Sequence, residues 1–90
     1  MLNRIQLEAT LTEKKPTRYT PAGLLCVEAT VKVDEAPATP FSVGVIAFDS
    51  CAVQLAKVEL GQTVRCSGRL QPVSKRNAKL IIHLEALEIV

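Results

Sequence analysis

The sequence has few aromatic residues, no tryptophan and no long apolar run. One tyrosine and two phenylalanines are the aromatic residues of a 90-residue chain. No segment approaches the roughly 18 consecutive apolar residues of a membrane-spanning helix, and the first fifteen residues alternate apolar with polar side chains, unlike a signal peptide. These absences argue against a membrane span and a secretory signal, so we predict a cytoplasmic protein.

Cysteine and histidine are also sparse. Three cysteines, Cys26, Cys51 and Cys66, stand at wide spacing without a Cys-x-x-Cys pair, and His83 is the single histidine. This set lacks the ligand spacing of a zinc site and the even count of a disulfide framework. We interpret the cysteines as small core residues or reduced surface thiols and predict neither a metal nor another cofactor.

Residue patterns of enzyme active sites are missing as well. The sequence offers no Ser-His-Asp set, no Cys-His pair at plausible positions and no glycine loop that could cradle a phosphate. We therefore predict a protein that is not an enzyme.

Length and composition are those of one small folded domain. A chain of this size buries only about 60 to 65% of its unfolded surface, so it can build one compact core. With 48% hydrophobic and 22% charged residues it lacks the low hydrophobicity and high charge of a disordered chain. We predict a single domain over residues 1–90.

Alternation of apolar and polar residues predicts four strands, and the β-branched and aromatic run over residues 41–48 predicts a fifth. The clearest runs from Leu25 to Val33, where every second residue is apolar, and it follows a turn signal at Pro21 and Gly23. The other four strands cover residues 4–11, 41–48, 63–70 and 79–90. In the last of these Leu80, Ile82 and Leu84 are expected to point inward, and the apolar set then changes phase to Leu87 and Ile89, which is typical of a β-bulge.

One short helix is predicted between the third and fourth strands. Asp49 and Ser50 are favourable N-cap residues, apolar residues recur at helical spacing, and Gly61 marks the end. Long connections follow the first and fourth strands. This order is that of the OB-fold, so we predict an all-β, five-stranded OB-fold Greek-key barrel with the helix between strands three and four.

The distribution of charge indicates a polyanionic ligand. The net charge is only +2, yet no acidic residue lies between residues 59 and 85. In an OB-fold, strands two and three and the loops joining strands one–two and four–five form the ligand surface. Cations there would neutralise the phosphates of a single strand without reading its bases; the alternative is that they only keep a small domain soluble. The cations concerned are Arg65, Arg69, Lys75, Arg76 and Lys79, with Lys14, Lys15 and Arg18 in the first loop.

Aromatic support for base stacking is thin. Single-strand binders usually stack bases on aromatic rings, at about 1 to 3 kcal/mol per base. Phe41, after a proline-rich loop, suits a stacking platform and the core equally, and Tyr19 either stacks or braces the turn. Phe48 is expected in the core, and His83 on the polar face of the last strand.

Four stretches of the sequence carry a family resemblance: residues 3–5 (NRI), residues 13–23 with the turn motif RYTPAG, Ser67-Gly68, and residues 83–89. Together they make the chain similar to primosomal replication protein N, the PriB type of bacterial single-stranded DNA-binding protein. This resemblance implies a homodimer of OB-folds without enzymatic activity. It also implies that the protein binds single-stranded DNA and assists the primosomal helicase, with other primosome proteins, in restarting stalled replication forks.

The resemblance also implies the binding residues, in the first long loop and in the loop between strands four and five. Two departures stand out: Asp34 occupies the place of an arginine in the better-known members, and the tryptophan expected near the third strand is absent. We therefore expect weaker DNA binding than in those members. The predicted single-stranded-DNA-binding residues are Arg18, Lys32, Phe41, Lys75, Arg76 and Lys79.

A homodimer is also expected on physical grounds, because a small barrel with an apolar first strand and exposed strand edges gains by pairing with a copy of itself. We predict the first strand as the interface.

Two alternative functions remain open. A general single-stranded DNA-binding protein would use the same barrel, but that family carries a disordered acidic tail, whereas this sequence stops in a strand at Val90. A protein-interaction module would use the basic loops to meet acidic protein surfaces. Salt-sensitive binding to a labelled oligonucleotide separates that module from a DNA-binding protein.

Overall fold

The strands form where the sequence alternates. In the computed structural model, which describes residues 1–90, the elements are β1 (Ile5–Lys14), β2 (Arg18–Tyr19), β3 (Leu25–Val33), β4 (Phe41–Phe48), α1 (Asp49–Lys57), β5 (Thr63–Pro72) and β6 (Leu80–Ile89). The five long strands confirm the five that the sequence predicted. The two-residue strand β2 is an addition, because it lies inside the connection that was predicted as a loop.

The first strand closes the sheet into a barrel by serving two neighbours. Its residues Ile5–Thr10 pair antiparallel with β5, and Thr10–Lys14 pair antiparallel with β3. The register shifts between Leu11 and Glu13, and such a bulge bends the strand from one partner to the other. The order then runs β3, β4, β6, β5 and back to β1, with β4 and β6 parallel. The predicted OB-fold barrel is confirmed.

The core fills the barrel with the inward members of each alternating set. Leu11, Val27 and Ile82 are almost fully buried, and α1 closes one end of the barrel with Ala52 and Leu55. No helix in the structure has the length and apolar character that a membrane crossing requires.

The predicted bulge in the last strand is present. Ser67 lies opposite Ala86 and Gly68 lies opposite Leu84, so Glu85 is the extra residue on β6. After it, Leu87 takes up a half-buried position in the new phase. At the start of the strand, however, Leu80 was predicted to point inward and is 52% exposed, because it lies in the last pair of the β5–β6 ladder, opposite Pro72 and next to the preceding loop.

The ends of the helix differ from the prediction. Phe48 is the N-cap in an extended conformation without a side-chain cap, and Asp49, in the left-handed region at φ 54°, already belongs to the first turn. The predicted caps are wrong because β4 runs directly into the helix with no linker. At the other end the helix stops at Lys57, and Gly61 belongs to the separate turn that leads into β5.

Candidate nucleic-acid interface

A groove of about 400 Å³ crosses the outer face of β3 and β4. Its floor includes Thr30, Ser42 and Gly44, whose outward positions are neighbours across the two strands. Lys15, from the connection after β1, lies on one side, and Lys79, from the loop between β5 and β6, lies on the other. The two connections predicted to border the ligand surface therefore do flank one groove.

A tight turn follows Arg18 in the first connection. The backbone N–H of Gly23 donates to the carbonyl of Thr20 at 2.8 Å, and the N–H of Thr20 donates to the carbonyl of Leu24 at 2.8 Å. Pro21 suits the first corner position, and Gly23 at φ 84° takes the left-handed position that closes a three-residue hairpin loop. The predicted hairpin corner is confirmed, and it holds Arg18 in register with β3.

Two cations of this first connection, Lys15 at the groove and Arg18 beside it in β2, are paired with a carboxylate that lines the groove. Nζ of Lys15 lies 3.4 Å from Oε2 of Glu28, and Nη2 of Arg18 lies 3.3 Å from Oε1 of the same side chain. Glu28 lines the groove together with Glu13. Sequence reasoning did not include either acid among the site residues, although the alternation of β3 puts Glu28 on the same face as Thr30.

The β5–β6 loop, which lines the other side of the groove, presents free cations at its tip. The N–H of Ser74 donates to the carbonyl of Asn77 at 3.3 Å, and the N–H of Asn77 donates back to the carbonyl of Ser74 at 3.3 Å and to its Oγ at 3.1 Å. Lys75 and Arg76 occupy the two central positions of this turn, exposed and without an ion pair. Lys79 follows at the groove, where the side-chain amide of Asn77 accepts its backbone N–H at 3.0 Å.

The residues that line the groove include Lys79 but not the other five predicted residues, and two of these five, Lys32 and Phe41, belong to the strands of the floor. Lys32 is exposed on the outer face, opposite Ser42, so it extends the face that forms the floor. Phe41 belongs to the other alternating set: it pairs with buried Val33, is in phase with Val45, and is 52% exposed at the strand end. The structure therefore does not bring Phe41 onto the face that carries Lys32, and its role in stacking stays a prediction.

Lys14 was predicted to border the groove and does not. Its Nζ donates to the carbonyls of Ala56 at 2.8 Å and Val58 at 2.7 Å, at the C-terminal end of α1. A cation is favourable there because the last carbonyls of a helix have no partner within it and carry partial negative charge. The bulge in β1 causes the difference, since it turns Lys14 away from the outer face.

Arg65 and Arg69 were also expected near the groove, and both are paired elsewhere. Arg65 contacts Glu88 at 2.9 Å and Glu8 at 3.5 Å, its neighbours across β6 and β1. Arg69 contacts Glu85 at 3.5 Å. These arginines thus have no acidic neighbours along the sequence but do have them in the fold, because the pairing of strands brings carboxylates to them.

The cysteines are free thiols in packed surroundings. Cys26 and Cys66 are buried and Cys51 is partly buried. Burial raises the pKa of the Cys66 thiol. It also raises the pKa of Cys26, although the guanidinium of Arg18 opposes this shift. These positions agree with the interpretation of the cysteines as small core residues.

Comparisons with known proteins agree with this geometry. The model of a family described as "Another single-strand binding protein family" matches residues 3–86. Replication restart protein PriB of Bordetella pertussis is 28% identical over 91 residues, covering 93% of this chain and 85% of the relative. A solved structure of PriB from Ralstonia solanacearum superposes with a TM-score of 0.86 at 30% identity, covering all of both chains. The single-stranded DNA-binding protein from Thermus aquaticus superposes with a TM-score of 0.83 at 27% identity, covering 99% of this chain and 40% of that one.

Proposed function

The chain belongs to the single-strand binding protein family and is of the PriB type, and from this premise we propose that it holds single-stranded DNA in its groove during replication restart. The family is non-enzymatic, which confirms the prediction that the chain catalyses no reaction. The cytoplasmic location stays a prediction from the sequence.

One observation carries the proposal: the β5–β6 loop, which lines the groove through Val73, Asn77 and Lys79, presents Lys75 and Arg76 at its tip without carboxylate partners. Free cations at this place attract phosphates and release the counterions of the nucleic acid, which gives affinity without base recognition. The groove lies where OB-folds bind oligonucleotides, and its openness on β3 and β4 suits a single strand.

The proposal is tested by titrating fluorescent single-stranded and duplex DNA at two salt concentrations. The test variant replaces Lys75 and Arg76 by alanine, and the control variant replaces Arg65 and Arg69, which removes the same charge from cations that are already paired. We expect the single strand to bind more tightly than the duplex. The test variant should bind the single strand several-fold more weakly. Its salt slope, the slope of the logarithm of the binding constant against the logarithm of the salt concentration, should be shallower by about 1.4, because two phosphate contacts are lost and each contributes about 0.7.

The control should stay close to the parent protein. Binding that does not respond to salt would refute the function, as would an equal loss in the two variants. The first result would favour the alternative of a protein-interaction module.

A finer part of the proposal is that the protein stimulates the primosomal helicase at stalled forks. The PriB relatives named "replication restart protein" support it. The test measures unwinding of a forked DNA by the helicase with and without this protein. An unwinding rate that the protein leaves unchanged at saturating concentration would reject this part and leave DNA binding untouched.

We also propose that the protein acts as a homodimer through β1. Residues Ile5–Ala9 pair with β5 along one edge only, and no strand of the same chain covers the other edge. An unpaired edge is a template for a second chain, and a two-fold axis would let both copies use the same strand. Light scattering after size exclusion tests this point, because a mass near that of one chain would contradict it.

A further inference from the structure

We propose that Glu28 competes with DNA phosphates for Lys15 and Arg18, and so lowers the affinity of the groove for single strands. The inference rests on the proposed function, and it identifies Glu28 as a residue that limits the affinity for single-stranded DNA. Part of the binding site is occupied in advance by a side chain of the protein itself.

The backbone delivers both cations to this carboxylate. The N–H of Lys15 donates to the carbonyl of Glu28 at 2.9 Å, which anchors the lysine beside it. Arg18 pairs with Cys26 in the β2–β3 ladder, two residues from Glu28 on the same strand face. Because both cations are held by backbone contacts to β3, one just beyond the end of β1 and one in the β2–β3 ladder, the fold places Glu28 between them.

The carboxylate is held where a phosphate would have to lie. Glu28 lines the groove and its side chain is 27% exposed, whereas those of Lys15 and Arg18 are 64% and 55% exposed. Ion pairs as exposed as these are weak, so a phosphate can displace them. After displacement Glu28 remains in the wall beside the phosphate, where it repels the like charge and needs a new counterion.

The two walls of the groove therefore differ. On the β5–β6 side Lys75 and Arg76 have no carboxylate partner, and on the hairpin side both cations share one. A strand would be held mainly from the β5–β6 side, and the hairpin cations would contribute in full only once Glu28 is neutralised. This arrangement keeps binding moderate, in the direction that Asp34 and the missing tryptophan suggest.

The test compares Glu28→Gln with Glu88→Gln. Both variants remove one negative charge and one partner of an arginine, but Glu88 pairs with Arg65 on β5, away from the groove. We expect Glu28→Gln to bind single-stranded DNA about three- to tenfold more tightly at low salt, as the release of two weak ion pairs would give. Its salt slope should steepen by up to about one, because no carboxylate then takes up a cation on binding. Glu88→Gln should stay within about twofold of the parent.

A second comparison separates competition from a general change in charge. Replacing Lys15 and Arg18 by alanine should cost more affinity in the Glu28→Gln background than in the parent, since only there are both cations free. Equal costs in the two backgrounds would overturn the inference, as would a Glu28→Gln protein that binds no more tightly than the parent. Thermal unfolding confirms that each variant is folded, and Glu28→Thr, which suits a strand, serves as a second variant.

The outcomes keep the inference apart from the proposed function. If the parent binds in a salt-dependent way and Lys75 with Arg76 are needed, but Glu28→Gln leaves affinity unchanged, only the role of Glu28 fails. If neither the parent nor Glu28→Gln binds single-stranded DNA, both fail together.

Discussion

Replacing Gly68 by alanine is expected to destabilise the barrel severely, although the added group is a single methyl. Gly68 lies opposite Leu84 where the register of β5 and β6 shifts. A Cβ at this position would overlap the carbonyl oxygen of His83, and it would lie 2.8 Å from the carbonyl carbon of His83 and 3.1 Å from Cα of Leu84. All three atoms belong to the backbone of a paired strand, so no flexible side chain can move aside.

The magnitude follows from this rigidity. Extra methyl groups in packed sites cost about 1 to 3 kcal/mol, occasionally more, and a clash with backbone belongs at the upper end, so we expect a loss of about 3 kcal/mol or more in the free energy of unfolding. In a domain of this size each kcal/mol lowers Tm by about 4 to 8 °C. The expected fall in Tm is therefore about 12 °C or more.

Gly44→Ala is the matched control, because Gly44 is also a glycine within a paired strand. A Cβ there would meet Ile81 Cγ1 at 3.6 Å and the carbonyl oxygen of Ala29 at 4.0 Å, which are ordinary contacts. We expect a change within about 1 kcal/mol. Urea unfolding followed by circular dichroism, at one fixed protein concentration, compares the two variants. A Gly68→Ala protein as stable as Gly44→Ala would show that the bulge does not require a glycine.

Two further predictions concern buried or capping groups. Lys14→Met removes the hydrogen bonds to the end of α1 and should lower the free energy of unfolding by about 1 to 3 kcal/mol. The control Lys57→Met, at an exposed lysine of the same helix end, should change the free energy of unfolding by less than about 0.5 kcal/mol. Equal effects of the two variants in urea unfolding would contradict the role of Lys14. Burial raises the pKa of the Cys66 thiol above its unshifted value of 9.0, so the folded state holds the thiol proton more tightly than the unfolded chain. The stability that this group contributes is therefore complete below the pKa of the unfolded chain, and it is lost as the pH rises through the folded pKa. Cys66→Ala should therefore lose less stability than the parent between about pH 8 and about pH 10, and parallel pH curves would refute the link.

Local patterns were sufficient for most of the fold. The alternation from Leu25 to Val33, the corner at Pro21 and Gly23, and the change of phase after Leu84 each depend on neighbours within a few residues, and each appears in the structure where it was predicted. The failures lie where one element meets another. Asp49 looked like a cap, but the direct passage from strand to helix makes it part of the first turn.

The charged residues of the candidate site show the same division between what local sequence predicts and what contacts between elements decide. Sequence identified Lys75 and Arg76 as members of a basic loop, and they are exposed at its tip. It grouped Lys14 and Arg65 with them, yet one is bound to the end of a helix and the other to carboxylates on neighbouring strands. Which cation stays free depends on contacts between residues far apart in the chain.

The strand faces, the hairpin turn and the two basic loops could be predicted from local sequence, since side-chain direction alternates along a strand whatever its partners are. The carboxylate that stands opposite each cation could not be predicted in this way, because it depends on the register of paired strands and on the bulges that shift it. Glu28 illustrates the point: it is an ordinary polar residue of an alternating strand, and the connection from β1 through β2 makes it the partner of two cations at the groove.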